Sequence, residues 1–156
     1  MKKSTPSQKE SLSLASITTY QSGVAQASAF RIVKYHTAHF LRDYNLSCMQ
    51  WFTIGTVLDA GSEGIRISDL AKKLDTTLAY MTNTINLLES RGILAKRAHQ
   101  YDARTKLVSV VSAYKKTCAK IEQGLRQRLG EVLYQNLDHT ELEDYVKVLY
   151  KISGLR

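Results

Sequence analysis

The chain has 156 residues, a formal net charge of +8 and two cysteines. That length suits one ordinary domain or two small subdomains sharing elements, with a core that needs no disulfides, and Cys48 and Cys118 lack the CxxC spacing of a zinc ribbon or a disulfide scaffold. No apolar run approaches the roughly 18 residues of a membrane span. The start "MKKSTPSQKESLSLAS" is basic but lacks the apolar stretch of a secretory signal, so a cytoplasmic chain with a flexible polar tail at 1–20 is expected.

The charge is clustered. Between 65 and 106 the bases Arg66, Lys72, Lys73, Arg91, Lys96, Arg97, Arg104 and Lys106 outnumber the acids Asp69, Asp75, Glu89 and Asp102 two to one, whereas 11–64 is balanced. Such clustering suits a polyanion-binding surface better than general solubility.

In chain order, Phe30, Val33, Thr37, Phe40, Leu41 and Tyr44 recur every three or four residues and predict a long helix over 24–44. Asn45-Leu46 breaks it. Ser47 then caps a second helix, with Gln50 three residues on to complete a capping box, and that helix carries Trp51, Phe52, Ile54, Val57 and Leu58 up to the glycines of "GSEG". "IRISDLAKKL" opens extended and continues as a short helix starting at Ile67 or Ser68, with Leu70, Ala71 and Leu74 turned inward. Thr77 opens another helix, on which Leu78, Met81, Ile85 and Leu88 share one side and after which Gly92 suits a left-handed cap. The two helices, about 8 and 15 residues long and joined by a short turn, make a helix-turn-helix.

"ILAKR" and "TKLVSVV" then predict two short strands around a polar tip, "AHQYDA". No dipeptide fixes a tight turn there, so a mobile tip is expected. Residues 113–135 predict a helix bearing Cys118, Ile121, Leu125, Leu129, Val132 and Leu133. Thr140 is placed to cap a last one bearing Leu142, Tyr145, Val146, Leu149 and Ile152.

This order resembles a winged helix at 47–111 and, with the flanking helices, the MarR family of bacterial transcription regulators. The residues that carry the resemblance are "LSCMQW", "ISDLAKKLDTTLAYMTNTINLLESRGIL" and "YDARTKLVSV", whose Asp-x-Arg at the hairpin tip is the most specific feature. The expected fold class is mostly α with a small β-wing. It is a winged helix-turn-helix at 47–111, with flanking dimerisation helices at 21–46 and 112–156.

The face of the 77–91 helix opposite its apolar stripe carries Ala79, Asn83, Asn86 and Ser90, with Tyr80 and Thr82 on the flanks. An asparagine amide can pair with a base edge and a methyl can meet a thymine methyl, so these are candidate major-groove contacts. Thr77, at the helix start, suits a phosphate. Since 77–90 holds no Lys or Arg, phosphate neutralisation is expected from Lys72, Lys73, Arg91, Lys96, Arg97 and Lys106. The resemblance implies that Arg104 enters the minor groove, where the potential is most negative over A·T runs, and that Asp102 braces the wing.

The implied protein is a homodimeric, sequence-specific regulator of double-stranded DNA at a pseudo-palindromic operator. Family habit and the blocking of a promoter point to repression, relieved by a small aromatic or phenolic effector. Tyr35, His36, His39 and Trp51 are candidates to line the effector's crevice. His36 and His39 lack a third ligand at a convincing spacing, so no metal and no cofactor is expected. Cys48 sits where a helix dipole favours a thiolate, which leaves open a redox-sensing regulator. A winged helix serving protein interaction without DNA is the other alternative, and it requires an apolar outer face on the 77–91 helix. No phosphate-cradling loop, GxSxG or HExxH is present, so catalysis is not expected.

Overall fold

The computed structural model describes residues 16–99 and 102–154, and for His99 and residues 102–104 the backbone only. Most of the expected tail and the side chains of Asp102 and Arg104 therefore lie outside the described residues. Helix α1 (Thr19–Leu41) starts inside the segment assigned to the tail, and earlier than its apolar stripe suggests. The reason is a capping box. Thr18 Oγ1 accepts from the Gln21 amide at 3.2 Å, and Gln21 Oε1 accepts from the Thr18 amide at 2.9 Å. A 3-10 turn at Arg42–Tyr44 and the left-handed Asn45 (φ 53°) end the run.

Helix α2 (Cys48–Asp59) opens on the capping box expected from the sequence, with Ser47 and Gln50 exchanging bonds of 3.2 and 2.9 Å. The short strand β1 (Ile65–Arg66) leads into α3 (Ile67–Lys73). Asp75, in the left-handed region at φ 47°, turns the chain into α4 (Leu78–Ser90), whose N-cap Thr77 accepts from the Tyr80 amide at 3.2 Å. Gly92 (φ 69°) makes the left-handed exit read from the sequence.

Strands β2 (Leu94–His99) and β3 (Asp102–Val110) run further than the two short runs expected, so the ladder extends into the presumed tip. The sheet order is β1-β3-β2, all antiparallel, with Ile65 opposite Val108 and Leu94 opposite Val110. Gly64 is required where β1 meets β3: at φ 71° a Cβ there would sit 2.7 Å from the Val108 carbonyl oxygen.

One core unites these elements. Ile54 and Val57 of α2, Leu70 of α3, and Met81, Ile85 and Leu88 of α4 are fully buried, as are Val108 of β3 and Ile121 of the helix that follows the sheet. Each such side chain contributes about 1.5–3 kcal/mol through lost water contact. Leu78 departs from its expected place, remaining 55% exposed, because as the first residue of α4 it projects past the edge of the core.

After a 3-10 turn at Ser112–Tyr114, α5 (Lys115–Val132) packs Cys118, Ile121 and Leu125 against this core. Helix α6 (His139–Ser153) is capped by Asp138 rather than Thr140. The Asp138 carboxylate accepts from the Glu141 amide and the Glu141 carboxylate from the Asp138 amide, each at 2.9 Å, a reciprocal box that starts the helix two residues earlier. None of the α6 residues is buried. On α1 only Thr37 and Leu41 are buried, so its first four turns form an arm beyond the core.

Candidate nucleic-acid interface

Helix α4 has one buried side and one exposed side. Its inner side, Met81, Thr84, Ile85 and Leu88, is buried, which commits the opposite side to solvent. Ala79, Asn83, Asn86 and Ser90 form a row along that outer side, all exposed. Tyr80 flanks it, also exposed, whereas Thr82 is half-buried and turns its hydroxyl back to the Leu78 carbonyl at 2.8 Å. Leu87 adds an apolar edge, 48% exposed. Thr77 is spent on capping, but its first-turn amides still point outward from the helix end.

The cations divide into two groups. Lys72 and Lys73 end α3 and Lys106 lies on β3. All three are exposed, and among the described residues none of their side chains makes a hydrogen bond or ion pair. Arg91, Lys96 and Arg97 are instead engaged within the fold. The Arg91 guanidinium donates to the Tyr44 carbonyl at 3.2 Å, tying the end of α4 to the end of α1. Arg97 donates to the carbonyls of Ser62 (3.3 Å) and Glu63 (2.7 Å), bracing β2 against the loop before β1. Lys96 Nζ sits 2.7 Å from Asn86 Oδ1 and 2.7 Å from Glu89 Oε2.

Residue type alone does not reveal these partners. The one legible signal is Gly92, whose tight turn folds β2 back along α4 and so brings position 96 beside 86 and 89. Arg104 and Asp102 lie on the β3 backbone at the outer end of the wing.

Three of the four proposed crevice residues lie together on α1. Tyr35 meets His36 edge-on at 5.2 Å and His39 at 6.3 Å, forming a cluster on α1 with Tyr35 63% exposed. Trp51 is half-buried against the core. A cavity of about 730 Å³ opens elsewhere, between α1 and α6, lined by Ala29, Phe30, Val33, Tyr145 and Leu149 among others. Among the described residues no group of three or more His, Cys, Asp or Glu side chains could hold a metal ion, and no helix is long and apolar enough to cross a membrane.

Cys48 occupies the first turn of α2, as expected, but the dipole does not prevail there. Burial pushes its thiol above the ordinary value of 9.0, against the smaller opposing pull of Lys34, and its Sγ lies 3.8 Å from the Lys34 carbonyl oxygen. Burial raises the Cys118 thiol likewise.

A three-stranded wing behind a helix-turn-helix defines the class: a winged-helix protein with helical extensions on both sides. Residues 60–106, from just after α2 to the middle of β3, match the model of the MarR family. The fold of the chain is that of solved MarR-family structures. It is similar to MarR from E. coli, at 20% identity and TM-score 0.72 over 87% of this chain and 96% of that one. It is similar also to CouR from Rhodococcus jostii RHA1, solved bound to p-coumaroyl-CoA, at 14% identity and TM-score 0.75 over 94% and 98%. Sco3205 from Streptomyces coelicolor, solved in complex with DNA, matches at 14% identity and TM-score 0.75 over 90% of each chain.

Proposed function

We propose that this chain is a homodimeric, sequence-specific regulator that binds double-stranded DNA. One observation carries the proposal: the exposed row Ala79, Asn83, Asn86 and Ser90 lies opposite a fully committed buried stripe, with Lys72, Lys73 and Lys106 exposed nearby. A helix so arranged can lay its amides and methyl against base edges in the major groove while the lysines neutralise phosphates. The wing is then positioned for the minor groove, with Arg104 as its inserted cation and Asp102 as its brace.

Pairing of two copies is supported by the arm. Phe30 (65% exposed) and Tyr35 on α1, with Leu149 and Ile152 (74% exposed) on α6, leave an apolar surface that a second copy would cover. Two-fold symmetry would then present two α4 helices to a pseudo-palindromic operator, and occupancy of a promoter would repress. The solved DNA complex of Sco3205 and the p-coumaroyl-CoA complex of CouR support DNA and a small aromatic effector as partners. The ring cluster Tyr35, His36 and His39, with Trp51, remains the proposed effector contact.

Selection of bound fragments from random duplexes, repeated with phenolic acids, tests this reading. The expected outcome is an enriched two-fold symmetric site whose occupancy falls with a matching acid. Recovery of no preferred sequence contradicts it.

A further inference from the structure

Asn83 and Asn86 lie one turn apart on the outer side of α4 and are both exposed, yet their amides are held differently. No bond fixes Asn83 among the described residues, and its amide can rotate to suit a base. Asn86 is tethered by Lys96, which reaches from β2 across the last turns of α4. An ammonium has donors only, so the atom of Asn86 that faces Lys96 at 2.7 Å must be the carbonyl oxygen. The NH2 group is therefore turned the other way. Glu89 takes a second Lys96 donor at 2.7 Å, which holds the ammonium in place and cancels its charge.

We infer that Lys96 is a positioning residue that presets Asn86 as a hydrogen-bond donor toward DNA, favouring guanine over adenine at one position of each half-site. The inference rests on the DNA-binding reading above. In the major groove guanine offers two acceptors, N7 and O6, whereas adenine offers N7 beside a donor amine. A free asparagine suits adenine, because its oxygen accepts from that amine while its NH2 donates to N7. With the oxygen shared with an ammonium and only the NH2 directed outward, the match shifts to the base that presents acceptors alone. The lysine itself never touches the DNA, and its effect passes through the amide it holds.

Selection from random duplexes with the full-length chain, Lys96→Met and Asn86→Asp tests this, with thermal melting of each variant alongside. Asn86→Asp keeps an acceptor for Lys96 and removes both outward donors, so it is expected to erase the guanine preference at one position per half-site and leave the other positions unchanged. Lys96→Met frees the amide and is expected to turn a guanine-over-adenine preference of about tenfold there into none or a preference for adenine. Glu89→Gln leaves the lysine bond in place and is expected to retain the preference.

A purely structural latch gives another pattern: Lys96→Met lowers affinity evenly across all sequences, with base preference intact, and that result overturns the inference. An unchanged preference in Asn86→Asp overturns it too, even if Lys96→Met fails to fold. Absence of any selected sequence with the unaltered chain removes the DNA-binding reading itself, a distinguishable failure.

Discussion

The Arg91 guanidinium and the Tyr44 carbonyl, 3.2 Å apart, join the end of the candidate recognition helix to the end of the arm helix. The carbonyl belongs to the 3-10 turn that closes α1, where the last helical oxygens need partners. A charged donor on a part-buried carbonyl contributes about 1.5–3 kcal/mol. Arg91→Gln is therefore expected to lower the urea midpoint by a stability loss of about 1–2 kcal/mol, while the dependence of DNA affinity on salt stays unchanged. A changed salt slope with unchanged stability would place Arg91 on a phosphate instead.

Arg97 and the exposed lysines separate by the same logic. Arg97→Gln breaks two bonds to the loop carbonyls of Ser62 and Glu63, and a stability loss of about 1 kcal/mol is expected with little effect on salt slope. Lys72→Gln, Lys73→Gln and Lys106→Gln are expected to do the reverse, each leaving the melt unchanged and lowering the slope of log K against log salt by about one unit per protomer. Denaturant melts paired with binding isotherms at several salt concentrations decide each case.

The proposed role of Arg104 predicts a larger effect than any of these lysines. Arg104→Ala is expected to weaken operator binding by about 1–3 kcal/mol, most strongly where A·T pairs narrow the minor groove, and to lower the salt slope by about one unit per protomer. Equal affinity and slope for the variant take the wing out of the mechanism.

The thiols are expected to be quiet. Burial raises both Cys48 and Cys118 above the ordinary value of 9.0, so at neutral pH neither is appreciably ionised. A thiol whose folded value exceeds its unfolded one supports the fold while protonated. That support is full below pH about 9 and is lost as pH rises through the raised folded value. Mild peroxide at pH 7 is expected to leave both residues unmodified by mass spectrometry, and a sulfenate on Cys48 would revive the redox reading.

Much of this fold was legible because burial leaves a periodic trace. The stripe Met81, Ile85 and Leu88, the Ser47–Gln50 cap and the Gly92 exit all follow from residues adjacent in sequence or one turn apart, where local chemistry decides. The differences are also local: Thr18 with Gln21 starts α1 early, and Asp138 with Glu141 starts α6 two residues before Thr140. Leu78 has the right spacing for the core but stands at a helix tip that the core does not reach. The site was legible in outline, as a polar face behind an apolar stripe. Its division of basic residues was not, because whether Arg97 meets a phosphate or a loop carbonyl depends on how a distant segment, 62–63, returns beside β2.

The arm supplies a prediction of assembly. Leu149, 44% exposed on α6, lines the cavity against α1, and Leu149→Asp would place a charge in the surface that a second copy should cover. Sedimentation of the unaltered chain is expected to show a dimer and that of the variant a monomer with an intact melt. A monomer in both cases removes the symmetric operator from the proposal.

The central claim is that paired copies hold duplex DNA chiefly through exposed cations around α4 and the wing. Its most direct test is the affinity for a selected duplex measured from low to physiological salt. Binding should fall with a log–log slope of about −4 to −7, as several phosphate contacts per protomer require. A protein that ignores the duplex at low ionic strength, or binds it with a slope near zero, contradicts the claim and favours a winged helix whose partner is another protein.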